Sequence, residues 1–176
     1  MSEKRPLSPE VVRKLQESTT LSEAQIVRLH KRFATLDHEG KGFISRDTFN
    51  TISSVASNPL LGRVLAVVDT NGDDKINFME FAKALSVFSP EADKQEKLRF
   101  TYMMYDIDRD GKISNRDLYE TLKIMVGSNL TGVQLQQIVD KTFIEVDLNR
   151  DGYITFDEFE KLALLTSFGD RLNLQI

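Results

Sequence analysis

Acidic side chains recur in four windows of twelve residues, and their spacing is the feature of this chain that could do chemistry. The windows begin 32, 37 and 41 residues apart and read DHEGKGFISRDT from Asp37, DTNGDDKINFME from Asp69, DIDRDGKISNRD from Asp106 and DLNRDGYITFDE from Asp147. In the last three, Asp, Asn or Glu stands at positions 1, 3, 5 and 12. Such oxygen donors suit Ca²⁺, which takes six to eight oxygens at about 2.3–2.6 Å. The windows therefore predict calcium loops.

The pattern D-x-[DN]-x-[DN]-G-x5-E is that of the EF-hand, a helix–loop–helix unit. Side chains at positions 1, 3 and 5 face the ion, position 7 offers its backbone carbonyl, and position 12 closes the shell with two carboxylate oxygens. Numbering the windows as loops one to four, the predicted ligands are Asp69, Asn71, Asp73, Lys75 and Glu80 in loop two, Asp106, Asp108, Asp110, Lys112 and Asp117 in loop three, and Asp147, Asn149, Asp151, Tyr153 and Glu158 in loop four.

Two of these loops depart from the pattern at one position each. Loop two has Asp74 at the sharp turn of position 6, where glycine is usual, but aspartate tolerates left-handed backbone better than most residues. Loop three ends in Asp117, which is one methylene shorter than glutamate and makes bidentate closure harder. We expect calcium in both, with weaker binding or less selectivity against Mg²⁺ in loop three.

Loop one has lost its metal chemistry. Position 5 is Lys41, whose ammonium group repels a cation, and position 12 is Thr48, which cannot replace a bidentate carboxylate. Because an EF-hand needs a partner strand, we interpret loop one as the metal-free half of a pair, with Phe43-Ile44-Ser45 against Lys75-Ile76-Asn77. Three calcium sites are therefore expected, and the loop from Asp37 is expected to be empty.

The segments around the loops predict the helices that position them. Ser22 with Gln25 and Thr131 with Gln134 form capping boxes ahead of apolar stripes at helical spacing. Position 8 is isoleucine in all four loops, which predicts a short strand in each. The predicted fold is all-α, with four EF-hands in two paired lobes and a two-stranded antiparallel contact between the loops of each pair.

Ser89-Pro90 marks the join between the two lobes. The predicted organisation has four segments. Residues 1–20 form an N-terminal arm that is mobile or a short helix, and residues 21–89 form an N-terminal EF-hand pair with a degenerate first loop. Residues 90–166 form a C-terminal EF-hand pair, and residues 167–176 form an apolar tail.

Composition narrows the function classes. The chain has 176 residues, 40% of them hydrophobic and 28% charged, with no cysteine and a net charge of −4. That charge argues against a nucleic-acid partner, and no apolar run approaches the roughly 20 residues of a membrane span. The start lacks the apolar core of a signal peptide, so we expect a cytoplasmic protein. Ser2 stands where N-myristoylation takes glycine, so no myristoyl anchor is expected.

No catalytic residues are predicted. The absence of cysteine removes a thiolate nucleophile. His30 and His38 have no Ser/Asp constellation around them, and calcium ligation already accounts for the paired carboxylates. The chain is therefore not expected to be an enzyme.

From Gln95 to Phe143 the chain reads QEKLRFTYMMYDIDRDGKISNRDLYETLKIMVGSNLTGVQLQQIVDKTF. It resembles the regulatory B subunit of calcineurin, the calcium-dependent Ser/Thr protein phosphatase. KIMVGSNL and QLQQIVDKT are distinctive because neither belongs to a metal loop. The resemblance covers roughly residues 24–176. Ser2, the damaged loop one and Asp117 depart from the family's pattern.

The resemblance implies a heterodimer in which this chain holds an amphipathic helix of the calcineurin catalytic subunit and confers calcium dependence. It implies further contacts with a calmodulin-activated complex and with immunophilin–drug complexes. The implied docking residues for substrates and drug complexes are Leu122, Met125, Val126, Asn129 and Leu130. The alternative is a free EF-hand calcium sensor that acts on a kinase, an ion exchanger or another client.

Overall fold

The computed structural model describes residues 6–51 and 58–165. The chain divides into two compact units, residues 1–93 and 94–176. The described residues are mostly helical, with two short antiparallel sheets, and the predicted all-α fold is confirmed. The first unit contains α1 Pro9–Ser18, α2 Glu23–Leu36, β1 Phe43–Ser45, α3 Arg46–Asn50, α4 Leu61–Val68, β2 Lys75–Asn77 and α5 Phe78–Val87. The second contains α6 Lys94–Tyr105, β3 Ile113–Ser114, α7 Asn115–Val126, a 3-10 turn Gly127–Asn129, α8 Gly132–Val146, β4 Tyr153–Ile154 and α9 Phe156–Leu165.

Side-chain caps fix where the helices begin. Both predicted capping boxes are present: the Ser22 hydroxyl accepts from the Gln25 N–H at 3.3 Å, and the Gln25 side chain accepts from the Ser22 N–H at 2.8 Å. Thr131 and Gln134 repeat the arrangement at the start of α8. Each box satisfies amides that the first turn of a helix leaves without partners. These caps therefore set the direction in which α2 and α8 lead into loops one and four.

A short turn precedes α4. Asn and Pro are common at the cap and first position of a helix, but α4 begins at Leu61, two residues after Pro59. The Asn58 side chain accepts from the Leu60 N–H at 2.9 Å, and the Asn58 carbonyl accepts from the Leu61 N–H. Asparagine here closes a turn with its own neighbours, an alternative to capping that its short side chain favours.

The two sheets pair the loops as expected. Strand β1 runs antiparallel to β2 with Ile44 opposite Ile76, and β3 runs antiparallel to β4 with Ile113 opposite Ile154. The predicted pairing of Phe43–Ser45 with Lys75–Asn77 is confirmed. All four isoleucines are at most 3% exposed, so each pair of loops is fixed to its core through position 8.

Each unit has its own apolar core. In the first, α1 packs against α2 and α5, and Leu15, Ile26 and Ala82 are fully buried. The sequence predicted either a mobile arm or a short helix for residues 1–20. The described part of this segment contains the helix α1, which packs on the core. The core of the second unit consists of Leu98, Tyr102, Ile113, Leu118, Val139, Val146, Ile154, Phe159 and Ala163.

Within the described part of the chain, no helix combines the length and the apolar character that crossing a membrane requires. The predicted tail 167–176 lies outside the described residues, and the boundaries of the four predicted segments stay predictions.

Candidate metal centre

The first aspartate of loops two, three and four is buried where the incoming helix ends. Its carboxylate accepts the backbone N–H of position 6, which folds the loop around it. The bonds run from Asp74 N–H to Asp69 at 2.9 Å, from Gly111 N–H to Asp106 at 3.0 Å, and from Gly152 N–H to Asp147 at 2.9 Å. Exposure of these aspartates is 2%, 5% and 9% respectively.

Positions 3 and 5 continue the same pattern in loops two, three and four, so the predicted side-chain ligands at positions 1, 3 and 5 lie around one turn of backbone. Position 3 accepts from the N–H of position 5 in each loop, through Asn71, Asp108 and Asn149. Position 5 accepts from the N–H of position 7, through Asp73, Asp110 and Asp151, onto Lys75, Lys112 and Tyr153. The N–H of position 7 is thereby fixed, which orients the peptide immediately before the one that carries the predicted ligand carbonyl.

Two positions of each loop have left-handed backbone, and the sequence analysis found only one of them. Position 6 is left-handed as expected, and Asp74 adopts φ 58° there. Position 4 is left-handed as well, at Gly40, Gly72, Arg109 and Arg150. The arginines gave no signal of this, because φ near 60° costs a non-glycine residue about 1–2 kcal/mol and is rarely expected.

Asp74 has a partner in the neighbouring loop. The Arg46 Nε lies 3.0 Å from an Asp74 carboxylate oxygen, and the two side chains are 43% and 75% exposed. Ser45, next to Arg46, is opposite Lys75, next to Asp74, so the strand register brings the pair together. Loop one thus holds the unusual turn of loop two by a charge contact.

Glutamate at position 12 spans its loop. One Glu80 oxygen accepts from the Asn77 N–H at 3.0 Å, which caps α5, and the other accepts from the Thr70 N–H at 3.1 Å across the loop. Glu158 does the same, with Thr155 N–H at 2.9 Å and Leu148 N–H at 3.0 Å. Glutamate therefore joins the start of the outgoing helix to the second position of the loop.

Asp117 makes only the nearer half of this arrangement. One of its oxygens accepts from the Ser114 N–H at 2.9 Å and from the Ser114 hydroxyl at 2.5 Å. Among the described contacts, none joins Asp117 to Ile107, the second position of loop three. The missing methylene is thus visible as a missing bond across the loop.

Carboxylates cluster most closely in loop three. Oxygens of Asp106, Asp108 and Asp110 all lie within 4.8 Å of one another. Burial raises the pKa of Asp106, the neighbouring Asp110 and Asp108 charges add to this, and backbone hydrogen bonds from Gly111 and Arg109 oppose it. Three like charges so close together form a donor set that a divalent cation would neutralise, so the residues fit Ca²⁺.

Glu158 shows the opposite balance. Burial alone would raise its pKa, but hydrogen bonds from Thr155, Asn149 and Leu148 outweigh burial and lower the pKa. Glu158 is 6% exposed, and no ion pair between described residues includes it. A buried, ionised carboxylate held only by neutral donors also fits a bound cation.

Loop one replaces metal contacts by its own. The Asp37 carboxylate accepts from the Lys41 N–H at 2.9 Å and from the Gly42 N–H at 2.7 Å, so the loop keeps its shape. The Lys41 ammonium forms an ion pair with Glu39, the acid at position 3. At the end of the loop, the Ser45 and Thr48 hydroxyls lie 3.1 Å apart, where the other loops have a carboxylate.

The implied docking residues lie together in the chain where α7 leads into α8. Leu122, Met125 and Val126 belong to the last turns of α7, Asn129 ends the 3-10 turn, and Leu130 precedes the cap of α8. Met125 is 44% exposed, whereas Leu122 packs against the core of the second unit. Exposed apolar surface is thus present within this segment, at Met125.

Comparison with known proteins gives the family. The EF-hand domain pair family matches residues 95–164. The calcineurin B subunit of Naegleria gruberi is 52% identical over 97% of this chain and 96% of its own length. The calcineurin B subunit of Schizosaccharomyces pombe is 51% identical over 83% of this chain and 84% of its own length. The type 2 calcineurin B subunit of Homo sapiens is 47% identical over 79% of this chain and 82% of its own length. The chain therefore belongs to the calcineurin B family of EF-hand proteins.

Proposed function

We propose that this chain is the calcium-binding regulatory subunit of a calcineurin-type Ser/Thr protein phosphatase. The observation that carries the proposal is the 52% identity over 97% of the chain, because it extends beyond the metal loops to the segments between them. The role is regulatory and not catalytic. The chain holds an amphipathic helix of the catalytic subunit and makes its activity depend on calcium.

The proposed calcium sites are loops two, three and four, and loop one is metal-free. Bound calcium would supply a positive charge that balances the acids at positions 1, 5 and 12, and at position 3 in loop three. The chain itself fixes the loop backbone through the first aspartate and joins each loop to its outgoing helix through position 12. Calcium can therefore act on the helix that follows each loop.

The test is co-purification of the tagged chain with a calcineurin catalytic subunit, once in calcium and once in chelator. A permanent regulatory subunit retains the catalytic chain in both, while phosphatase activity appears only with calcium. Retention only in calcium, or none, supports the free sensor and overturns the proposal. Calorimetric titration of the same complex tests the stoichiometry, with three sites expected and four contradicting a metal-free loop one.

A matched pair of variants tests whether substrates dock at the end of α7. Met125→Asp places a charge on the implied docking segment, whereas Val133→Asp places one on an exposed apolar residue of α8, 71% exposed and outside that segment. We expect Met125→Asp to lower activity on a protein substrate about tenfold and to leave a small phosphoester unaffected, since truncating or charging a docking anchor costs about 1 kcal/mol or more. Equal effects of the two variants would contradict this docking site.

A further inference from the structure

Tyr102 lies on α6 four residues before the first ligand of loop three and is 5% exposed. Its hydroxyl is 2.8 Å from the Ile154 carbonyl oxygen of loop four and 3.0 Å from the Gly111 carbonyl oxygen of loop three. The Tyr102 hydroxyl therefore donates to backbone carbonyls of two different loops.

These two carbonyls flank the predicted ligands. Gly111 precedes Lys112, whose carbonyl is the position 7 ligand of loop three, and Ile154 follows Tyr153, which has the same role in loop four. A shift of either peptide therefore changes the direction of a ligand carbonyl. Because the Tyr102 hydroxyl contacts both loops, a rearrangement of one changes its bond to the other.

The first unit provides an internal comparison. Phe33 lies four residues before loop one, and its ring packs on Phe78 and Phe81 with centroids 5.5 Å apart in both contacts. The Tyr102 ring packs in the same way on Phe156 and Phe159, also at 5.5 Å. The aromatic packing is therefore the same in both units, and the hydroxyl is what differs.

The difference between Phe33 and Tyr102 matches the number of proposed calcium loops in each unit. The first unit has one competent loop and a phenylalanine, whereas the second has two competent loops and a tyrosine. The ring alone satisfies the core, as Phe33 shows, so packing does not account for a buried hydroxyl that must find hydrogen-bond partners.

We infer that the Tyr102 hydroxyl couples the calcium sites of loops three and four, so that filling one favours filling the other. Tyr102 is a positioning residue, since it acts through the peptides beside the ligand carbonyls. The inference rests on the proposed calcium sites of these two loops.

The test compares Tyr102→Phe with wild type in the full-length chain. Calcium titration is followed by the NMR signals of the Gly111 and Gly152 amides, each of which donates to the first aspartate of its own loop. In wild type we expect the two titration curves to rise together. In Tyr102→Phe they separate, and loop three requires about fivefold more calcium, the scale of one net hydrogen bond.

Tyr105→Phe is the matched control. Tyr105 is on the same helix, packs against Phe159 at 6.1 Å and is half-buried, and among the described contacts its hydroxyl bonds to neither loop. Removing that hydroxyl should leave the two curves together. Separation in both variants would mean that any loss from α6 disturbs the loops, and it would overturn the inference.

A second arm measures the coupling itself. Glu158→Gln removes the closing carboxylate of loop four, and by linkage it should weaken loop three about fivefold in wild type but not in Tyr102→Phe. The same weakening in both backgrounds overturns the inference and leaves the proposed function intact. If neither glycine amide of wild type responds to calcium, the proposed function itself fails, and the inference fails with it.

Discussion

A single methylene distinguishes the closing residue of loop three from those of loops two and four. Glu80 and Glu158 each bond both to the cap of the outgoing helix and to the second position of the loop. Among the described contacts, the Asp117 carboxylate reaches only Ser114. Position 12 is thus a helix cap as well as a predicted ligand, and the shorter side chain keeps the cap but loses the bond across the loop.

Asp117→Glu should therefore strengthen calcium binding in loop three. We expect about tenfold tighter binding and better discrimination against Mg²⁺, because the longer side chain can offer two oxygens to the larger ion. Calorimetry with and without millimolar Mg²⁺ measures both effects. Glu158→Asp is the reciprocal control and should weaken loop four by a similar factor, and an unchanged loop three in Asp117→Glu would contradict the assigned role of position 12.

Asp74 has two features that oppose each other. Its left-handed backbone is strained for a residue with a side chain, whereas its contact with Arg46 is favourable. Asp74→Gly removes both, and we expect calcium binding in loop two to change less than about twofold, since an exposed ion pair and such strain are both worth about 1 kcal/mol. Asp74→Ala keeps the strain but loses the ion pair and should bind several-fold more weakly. Equal affinities of the two variants, measured by calorimetry, would show that the left-handed backbone at position 6 costs calcium binding nothing, because both variants lack the Arg46 contact.

At the scale of elements, loop one keeps the shape of an EF-hand loop although Lys41 and Thr48 replace the oxygen donors of positions 5 and 12. Asp37 still folds the backbone, β1 still pairs with β2, and the Lys41–Glu39 ion pair supplies a cation from the chain itself. The element persists because its strand and helices complete the core of the first unit. Shape and metal binding are therefore separable properties of this loop.

Restoring the ligands should restore the metal. The double variant Lys41→Asp with Thr48→Glu provides oxygen donors at positions 1, 3, 5 and 12, and we expect a fourth calcium site in calorimetry. Lys41→Asp alone lacks the closing carboxylate and is the control, with a stoichiometry unchanged from wild type. If the double variant also gains no site, the backbone of loop one and not its side chains prevents binding.

His30 on α2 contacts Phe78 on α5, and its lowered pKa predicts that the stability of the first unit depends on pH. Its ring meets Phe78 edge-on at 4.9 Å, and burial lowers its pKa below the ordinary 6.5. The unfolded chain therefore takes up the proton first, so stability is lost as pH falls through about 6.5 toward the lower folded pKa. His30→Gln should lose less stability than wild type between about pH 7 and pH 5.5 in metal-free urea unfolding. His38→Gln is the control, and an identical loss in His30→Gln would contradict this role of His30.

The sequence predicted the elements whose signals are local. Oxygen donors at fixed spacing gave the loops, reciprocal Ser–Gln and Thr–Gln boxes gave the starts of α2 and α8, and position 8 gave the strands. Signals that depend on partners elsewhere in the chain were missed. Tyr102 looks like an ordinary core aromatic until its hydroxyl is seen beside Ile154, 52 residues later. Likewise, nothing in Arg109 or Arg150 reveals left-handed backbone, because the surrounding loop imposes it.

At the scale of the whole molecule, the two units differ in the number of calcium loops that we propose. The first contains one proposed calcium loop and the second contains two, so calcium should stabilise the units unequally. A ligand that binds only the folded state adds about 2.7 kcal/mol per site at a hundredfold excess over its Kd. The second unit should therefore gain about twice the stabilisation of the first.

Native-state hydrogen exchange measures this difference unit by unit, because buried amides report the opening of the structure around them. The reporters are the amides of Ile44 and Ile76 in the first unit and of Ile113 and Ile154 in the second, all from buried strand residues. On adding calcium, we expect the gain in protection to be about twice as large, in free energy, for the second pair. Glu80→Gln should abolish the gain of the first unit and leave the second unchanged. Equal gains in both units of wild type would mean that the units open together, and their unequal loops would then act as one calcium-dependent body.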